Sequence, residues 1–202
     1  MLYLMYMYKV IFFKYIMKGV KIMKYIVLLR GINISGKNKI SMIKLKNILE
    51  KNNYTNVITY LNSGNIILES EFTKEEIANN INKIIKNIFN LDIPVFVTIP
   101  SELERLLNNC PEWWGTNNKE VHDNLIFIIP PTKYKDIYNA IGEPKEEIEK
   151  IKELNNYIFW SFNLKNYRKS NWWVKTASTD IKDKITIRTA NTVKKLIEIS
   201  KK

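Results

Sequence analysis

Tyr25-Ile-Val-Leu-Leu-Arg30-Gly31-Ile-Asn33-Ile-Ser35-Gly36-Lys37-Asn38-Lys39 is an apolar run that ends abruptly in a polar loop with two glycines and three cations. Such a run reads as a buried strand that delivers a functional loop at its end. Downstream, Ser41 is a good N-cap, and Met42, Leu45, Ile48 and Leu49 recur on one helical face as far as Asn52-Asn53. Val57–Leu61 and Asn65–Glu69 read as strands joined by a tight turn, Asn62-Ser63-Gly64. Thr73 to Glu76 spells a capping box, followed by an apolar stripe of Ile77, Ile81, Ile84, Ile85 and Ile88. Pro94–Ile99 completes the order β-α-β-β-α-β, the ferredoxin-like split βαβ arrangement.

The remainder echoes the first half. Ser101–Asn109 predicts a linking helix, and Leu125–Ile129 a strand stopped by Pro130-Pro131. Thr132 is expected to cap a helix that carries Tyr134, Ile137, Tyr138 and Ile141 and is closed by Gly142. Glu147–Leu154 has helical as well as strand spacing; read as a strand, it pairs with Tyr157–Phe162 across Asn155-Asn156. Lys165–Lys175 is basic and aromatic without an assigned element, Ile185–Ile187 is a short strand, and Asn191–Ser200 a closing helix. The expected architecture is α+β, a ferredoxin-like half over 23–99 packed with a second, related α+β half over 100–202. Residues 1–22 are apolar, broken by Lys9, Lys14, Lys18 and Lys21, and too interrupted for a membrane span. They read as an extension ahead of a start at Met23, with a basic amphipathic anchor as the alternative.

The 202 residues carry a net charge of +12, which falls to +8 without the four lysines of that extension. A basic surplus points to phosphate-bearing partners. A chain saturated with Lys, Asn, Ile and Tyr, the residues of A/T-rich codons, acquires the same surplus from genome composition, and Arg is scarce: Arg30, Arg105, Arg168 and Arg188. A single cysteine, Cys110, excludes an intramolecular disulfide and fits a reducing cytoplasm. With His122 as the one histidine, a zinc site of His and Cys ligands is excluded. No cofactor is implied, and a monomer is expected.

Gly31 to Asn38 approaches the phosphate-binding loop G-x-x-x-x-G-K-[ST], but Asn38 replaces the Mg²⁺-binding hydroxyl and the helix cap comes later, at Ser41. A looser anion site remains, made by Arg30, Lys37, Lys39 and the amides that Gly31 and Gly36 expose, with Asn33 and Asn38 in the same loop. Its alternative is a tight connection with solvated lysines. Ser63, Gly64 and Asn65 are first of all turn chemistry, and in a ferredoxin-like half they need not adjoin the first loop. Arg188, Asn191 and Thr192 surround a helix start, where unpaired N–H groups favour anions; there Asn191 or Thr189 can simply be the cap. The segment from Trp160 through Trp173 could stack bases, yet tryptophan pairs such as Trp172-Trp173 and Trp113-Trp114 commonly close a core edge. His122, in a polar loop beside Asp123, lacks a nucleophile partner. Glu146-Glu147 and Asp180/Asp183 read as solvated charge.

Five stretches together resemble a bacterial family known as domain of unknown function 1697: Leu28-Leu-Arg30-Gly31-Ile-Asn33-x-x-Gly36-Lys37-Asn38, Tyr60-x-x-Ser63-Gly64-Asn65, Pro111-x-Trp113-Trp114, Trp160-Ser-Phe162, and Thr186-x-Arg188-x-x-Asn191-Thr192-x-x-Lys195-Leu196. The resemblance covers Met23 to the C-terminus. It implies a cytosolic α+β fold with ferredoxin-like parts and brings no established activity. Thr189-Ala190 departs from it, since the family often has Asn followed by a bulky residue there. The leading expectation is a binder of a phosphate-bearing ligand (nucleotide, phosphorylated metabolite or nucleic acid) at the loop after the first strand. The alternatives are a small-molecule enzyme, its reaction unnamed, with a site between the halves built on Asn33, Ser63, Asn65, Arg188 and Asn191, and a protein-interaction module using exposed tryptophans.

Overall fold

A computed structural model of the chain describes residues 21–178 and 181–202. The extension expected over 1–22 lies, but for its last two residues, outside the described residues, as does Asp180. Among the described residues, eight strands form two four-stranded antiparallel sheets. The first holds β1 (Met23–Leu29), β2 (Thr55–Tyr60), β3 (Asn65–Ser70) and β4 (Val95–Thr98) in the order β2-β3-β1-β4. The second holds β5 (Val121–Ile128), β6 (Glu149–Leu154), β7 (Tyr157–Asn163) and β8 (Ile185–Thr189) in the order β6-β7-β5-β8. Each sheet has the split βαβ order, with the first strand of its half at an inner position. The fold is α+β, and the second half repeats the first.

Side-chain alternation along β1 explains its unbroken apolar run. Tyr25, Val27 and Leu29 point into a core closed by α1 (Met42–Lys51) and α2 (Lys74–Phe89). Ile26 and Leu28 point the other way, with Ile67 and Phe96, into a central core shared with Leu125, Phe127 and Phe159 of the second sheet. Helices α3 (Pro100–Leu107) and α6 (Ala190–Ser200) complete that core through Leu103, Leu106, Val193 and Leu196. A third core lies on the far face of the second sheet, where Ile126, Ile128, Ile158 and Trp160 meet α4 (Tyr134–Ile141) and α5 (Asn171–Ser178). Both sheets are thus covered on both faces, and each fully buried Leu or Ile contributes about 1.5–3 kcal/mol. A one-residue slip of β1 would exchange two different cores, so its pairing of Val27 with Ile66 and Val97 is tightly specified.

The caps of the first half form as expected. Ser41 Oγ accepts from Lys44 N, and Thr73 and Glu76 make a reciprocal capping box. Gly142, at φ +83°, ends α4. Four local expectations need correction. Strand β5 begins at Val121, so His122 and Asp123 are strand residues paired with Phe162 and Ser161 rather than loop residues. Helix α4 is capped from Lys133, whose N–H donates to Asp136, because the chain turns helical one residue beyond Thr132. Part of the basic aromatic segment is helical: a 3-10 turn at Tyr167–Lys169 leads into α5, which buries Trp172. Trp114 is not an exposed docking residue, since it is buried edge-on against Phe159 with its indole N–H donating to Asn124 O at 2.7 Å.

Candidate functional site

The loop after β1 is a rigid, self-bonded structure. Leu29 N donates to Gly64 O at 2.8 Å and Arg30 N to Pro94 O at 3.0 Å, which fixes the loop's base between β3 and β4. Asn33, itself at φ +55°, then closes the loop with its side chain. Its amide oxygen accepts from Ile40 N at 2.9 Å, and its amide nitrogen donates to Ile40 O at 2.9 Å and Asn62 O at 2.8 Å. Asn38 donates to Gly31 O at 3.0 Å, and Lys37 N to Ile34 O at 2.9 Å around a tight turn at Ser35-Gly36. With α1 starting only at Met42, Lys37 sits on that turn and not at a helix start, so the geometry is not that of a nucleotide-triphosphate loop.

The turn between β2 and β3 does adjoin this loop. The link is Asn33 to Asn62, reinforced by the approach of Gly64: a Cβ there would lie 2.6 Å from Leu29 Cβ, and φ is +77°. Between the two segments and the start of α1 opens a depression of about 450 Å³, lined by Asn33, Gly36, Lys39, Ser41, Ile43 and Asn62. Lys37 and Lys39 are exposed. The first N–H groups of α1, on Met42 and Ile43, have no intrahelical acceptor and carry the positive end of the helix dipole.

Arg188 reaches this region from β8 but turns inward. Its Nε donates to Asn65 Oδ1, Nη1 to Thr186 Oγ1 and Ile187 O at 2.8 Å each, and Nη2 to Leu29 O and Ser63 O at 2.9 Å each. A longer bond of 3.3 Å runs from Nη2 to Gly64 O. All five N–H donors are engaged by neutral oxygens, and no carboxylate is among the partners. Burial, with the nearby Arg30 cation second, pushes this guanidinium down to about 10, so it stays charged at neutral pH. Asn65 is also fully engaged, donating to Tyr60 O and Ser63 Oγ at 3.0 Å each. Arg188 and Asn65 therefore hold the walls of the loop in place. Arg30 is half-buried, its Nε donating to Lys182 O at 2.5 Å. Burial lowers its ordinary value, and Asp183 opposes the shift.

Asn191 and Thr192 are not part of this assembly. They sit at the start of α6, where Thr189 is the cap and its Oγ1 accepts from Thr192 N at 3.3 Å. Asn191 lines a separate depression of about 410 Å³ with His122, Asp123 and Asn118. His122 stacks on Phe162 at 5.3 Å, while Asp123 accepts from Ser161 Oγ and, at 2.9 Å, from Gly115 N. Histidine, carboxylate and hydroxyl thus lie close without forming a relay through the imidazole. Among the described residues no three His, Cys, Asp or Glu side chains converge as metal ligands.

The most voluminous of these cavities, about 670 Å³, lies between the halves, where β4 and α3 face the turn between β6 and β7. None of Asn33, Ser63, Asn65, Arg188 or Asn191 lines it. Its ionisable groups are Lys74, Glu102, Arg105 and Tyr157, which share no motif in the sequence, and Asn109, Asn155 and Asn156 add neutral polar groups to the lining. Burial opposes ionisation of Glu102, but hydrogen bonds from Lys74 and Thr98 outweigh it and lower its carboxyl from the ordinary value. Burial, moderated by Thr98, pushes the Tyr157 phenol up to about 12.

No curated protein matches the chain. Among solved structures, the fold is similar to that of the conserved bacterial protein SP0830 from Streptococcus pneumoniae. The TM-score is 0.78 at 24% sequence identity, and the match covers 89% of this chain and 99% of that one. The likeness is one of fold. No helix of the described residues is long and apolar enough to cross a membrane. A family model described as a protein of unknown function, DUF1697, matches residues 22–159, more than half of the chain and including both the β1 loop and the turn beside it, and the chain belongs to that family.

Proposed function

We propose that the protein binds a phosphate-bearing ligand, a nucleotide or nucleic-acid segment, in the depression after β1. The observation that carries this reading is that exposed Lys37 and Lys39 flank a preformed hollow at the α1 N-terminus, in a stretch almost free of acids. From Arg30 to Leu68 the sequence has Arg30, Lys37, Lys39, Lys44, Lys46 and Lys51 against Glu50 alone. A rigid loop reduces the ordering cost of binding, and fixed N–H groups favour an anion over a neutral ligand. In this reading Lys37, Lys39 and the amides around Gly36 and Met42 touch the phosphate, while Asn33, Asn38, Ser63, Gly64, Asn65 and Arg188 position the loop. The same proposal places the protein in the reducing cytoplasm as a monomer.

The test is a titration of the full chain with ATP and with a short oligothymidylate at two salt concentrations. Replacing Lys37 and Lys39 together by Ala should weaken binding by about tenfold or more and flatten the salt dependence, since fewer counterions are released when fewer cations meet phosphates. Equal affinity in the double variant would remove the loop from the reading.

A further inference from the structure

The cleft between the halves contains a hydrogen-bond chain whose direction is fixed. Lys74 Nζ donates to both Glu102 oxygens, at 2.5 and 2.6 Å. Thr98 Oγ1 donates to Glu102 Oε2 at 2.8 Å. The Tyr157 hydroxyl lies 3.2 Å from Thr98 Oγ1. A threonine has one hydroxyl proton, and an ionised carboxylate can only accept, so Thr98 gives its proton to Glu102 and must accept from Tyr157. The Tyr157 oxygen is left with lone pairs and no proton to offer. A ligand meeting it must bring an N–H or O–H.

Two further features narrow the ligand. Arg105, on the same cleft wall, is exposed, and its guanidinium has no acceptor within hydrogen-bond distance among the described residues. Its planar fork suits a carboxylate. Lys74 and Glu102 neutralise each other, which leaves Arg105 as the one uncompensated charge of these groups, and a single cation matches one carboxylate group better than a phosphate dianion. The apolar floor is rigid: Phe96 is held edge-on by Tyr157 at 5.9 Å and tilted against Phe127 at 5.2 Å, with Leu106 and Ile128 beside it. A cavity of about 670 Å³ is within the range of small-molecule sites, roughly 300–1,000 Å³.

We propose that this cleft binds an apolar α-amino or α-hydroxy carboxylate. Its carboxylate sits on Arg105, its amino or hydroxyl proton is given to the Tyr157 oxygen, and its apolar body lies on Phe96 and Leu106. Glu102 acts through Thr98 as a positioning residue that keeps the Tyr157 oxygen an acceptor. The proposal is independent of the anion site after β1.

Calorimetric titration of the full chain with phenylalanine, phenyllactate and 3-phenylpropionate tests it. Phenylalanine or phenyllactate should bind, and 3-phenylpropionate, which lacks the donor, should bind about tenfold more weakly, the factor for one unmade hydrogen bond to a buried group. Binding of phenylalanine without phenyllactate selects the amino acid, and the reverse selects the hydroxy acid. Tyr157→Phe should erase the preference over 3-phenylpropionate, and exposed Arg105→Ala, which leaves the core untouched, should weaken all three. No heat from any of the three at millimolar concentration overturns the proposal, as does binding that Arg105→Ala leaves unchanged.

Discussion

Two buried charges hold the molecule together, and they are solved by opposite means. Arg188, 8% exposed, spreads its positive charge over carbonyl and hydroxyl oxygens drawn from both halves. Glu149, 1% exposed, sits within the second half and accepts only from neutral donors. These are Lys145 N, Trp160 Nε1, Ser170 Oγ, and the first N–H groups of α5 on Asn171 and Trp172. Neither has an ionic partner among these groups. Desolvating a lone ion costs several kcal/mol, and here backbone dipoles repay the cost in place of a counter-charge. The difference lies in what is left behind when the ion goes. Arginine leaves carbonyls, each with other bonding capacity; glutamate leaves N–H groups with none.

That asymmetry can be broken by experiment. Glu149→Ala should have the larger effect, about 4 kcal/mol, because it orphans buried donors, the N–H groups of Asn171 and Trp172 at the start of α5 among them; orphaned N–H groups are the rarer and costlier kind. Chemical denaturation measures the loss, and hydrogen exchange should show α5 opening first. Arg188→Ala should cost about 3 kcal/mol, with Leu29, Ser63 and Gly64 carbonyls left under-satisfied. Because its bonds join the halves, its unfolding transition should broaden or split by two probes, where that of Glu149→Ala stays single. The reverse order of the two losses would refute the donor–acceptor argument. The third test sharpens the same region at lower cost. Gly64→Ala, at φ +77° with Leu29 Cβ 2.6 Å away, should lose about 2 kcal/mol, and Gly36→Ala, at φ +78° in open space, about 1 kcal/mol. Equal losses would mean that backbone strain alone, and not the close approach of the turn to β1, sets the cost.

The fold was legible because its signals are local. Ser41, Thr73 and Glu76 announce helix starts, and Gly64 and Asn155-Asn156 announce turns, the two asparagines indeed adopting φ of +52° and +66°. The continuous run at Tyr25 to Leu29 announces a buried strand, and the structure divides it between two cores. The candidate site was legible in part. The loop motif is there, but nothing in a sequence states that Ser63 and Gly64 lie against Leu29, or that Arg188 would donate to the carbonyls of all three through Nη2. Glu149 was invisible for a different reason: in Glu149-Lys-Ile-Lys-Glu153 it reads as one more charge on an edge strand, and only the arrival of Asn171 and Trp172 gives it a task. Thr98, Glu102 and Tyr157 come from three elements and share no spacing that a sequence reading could detect.

The span of the Arg188 bonds has a consequence for how the chain acquires its structure during synthesis. The first sheet can pair completely once Thr98 has left the ribosome, because all four of its strands precede that residue or end at it. Its inward face of Ile26, Leu28, Ile67 and Phe96 then waits, wet and adhesive, for a cover made almost entirely of later residues. The carbonyls of Leu29 and Ser63 wait longer still for the guanidinium of Arg188. Domains generally fold in order of emergence, so the interval between those two moments is when a nascent chain is most open to sticking to its neighbours. A ribosome slowed between residues 100 and 188 would lengthen that exposure while leaving the finished protein unchanged.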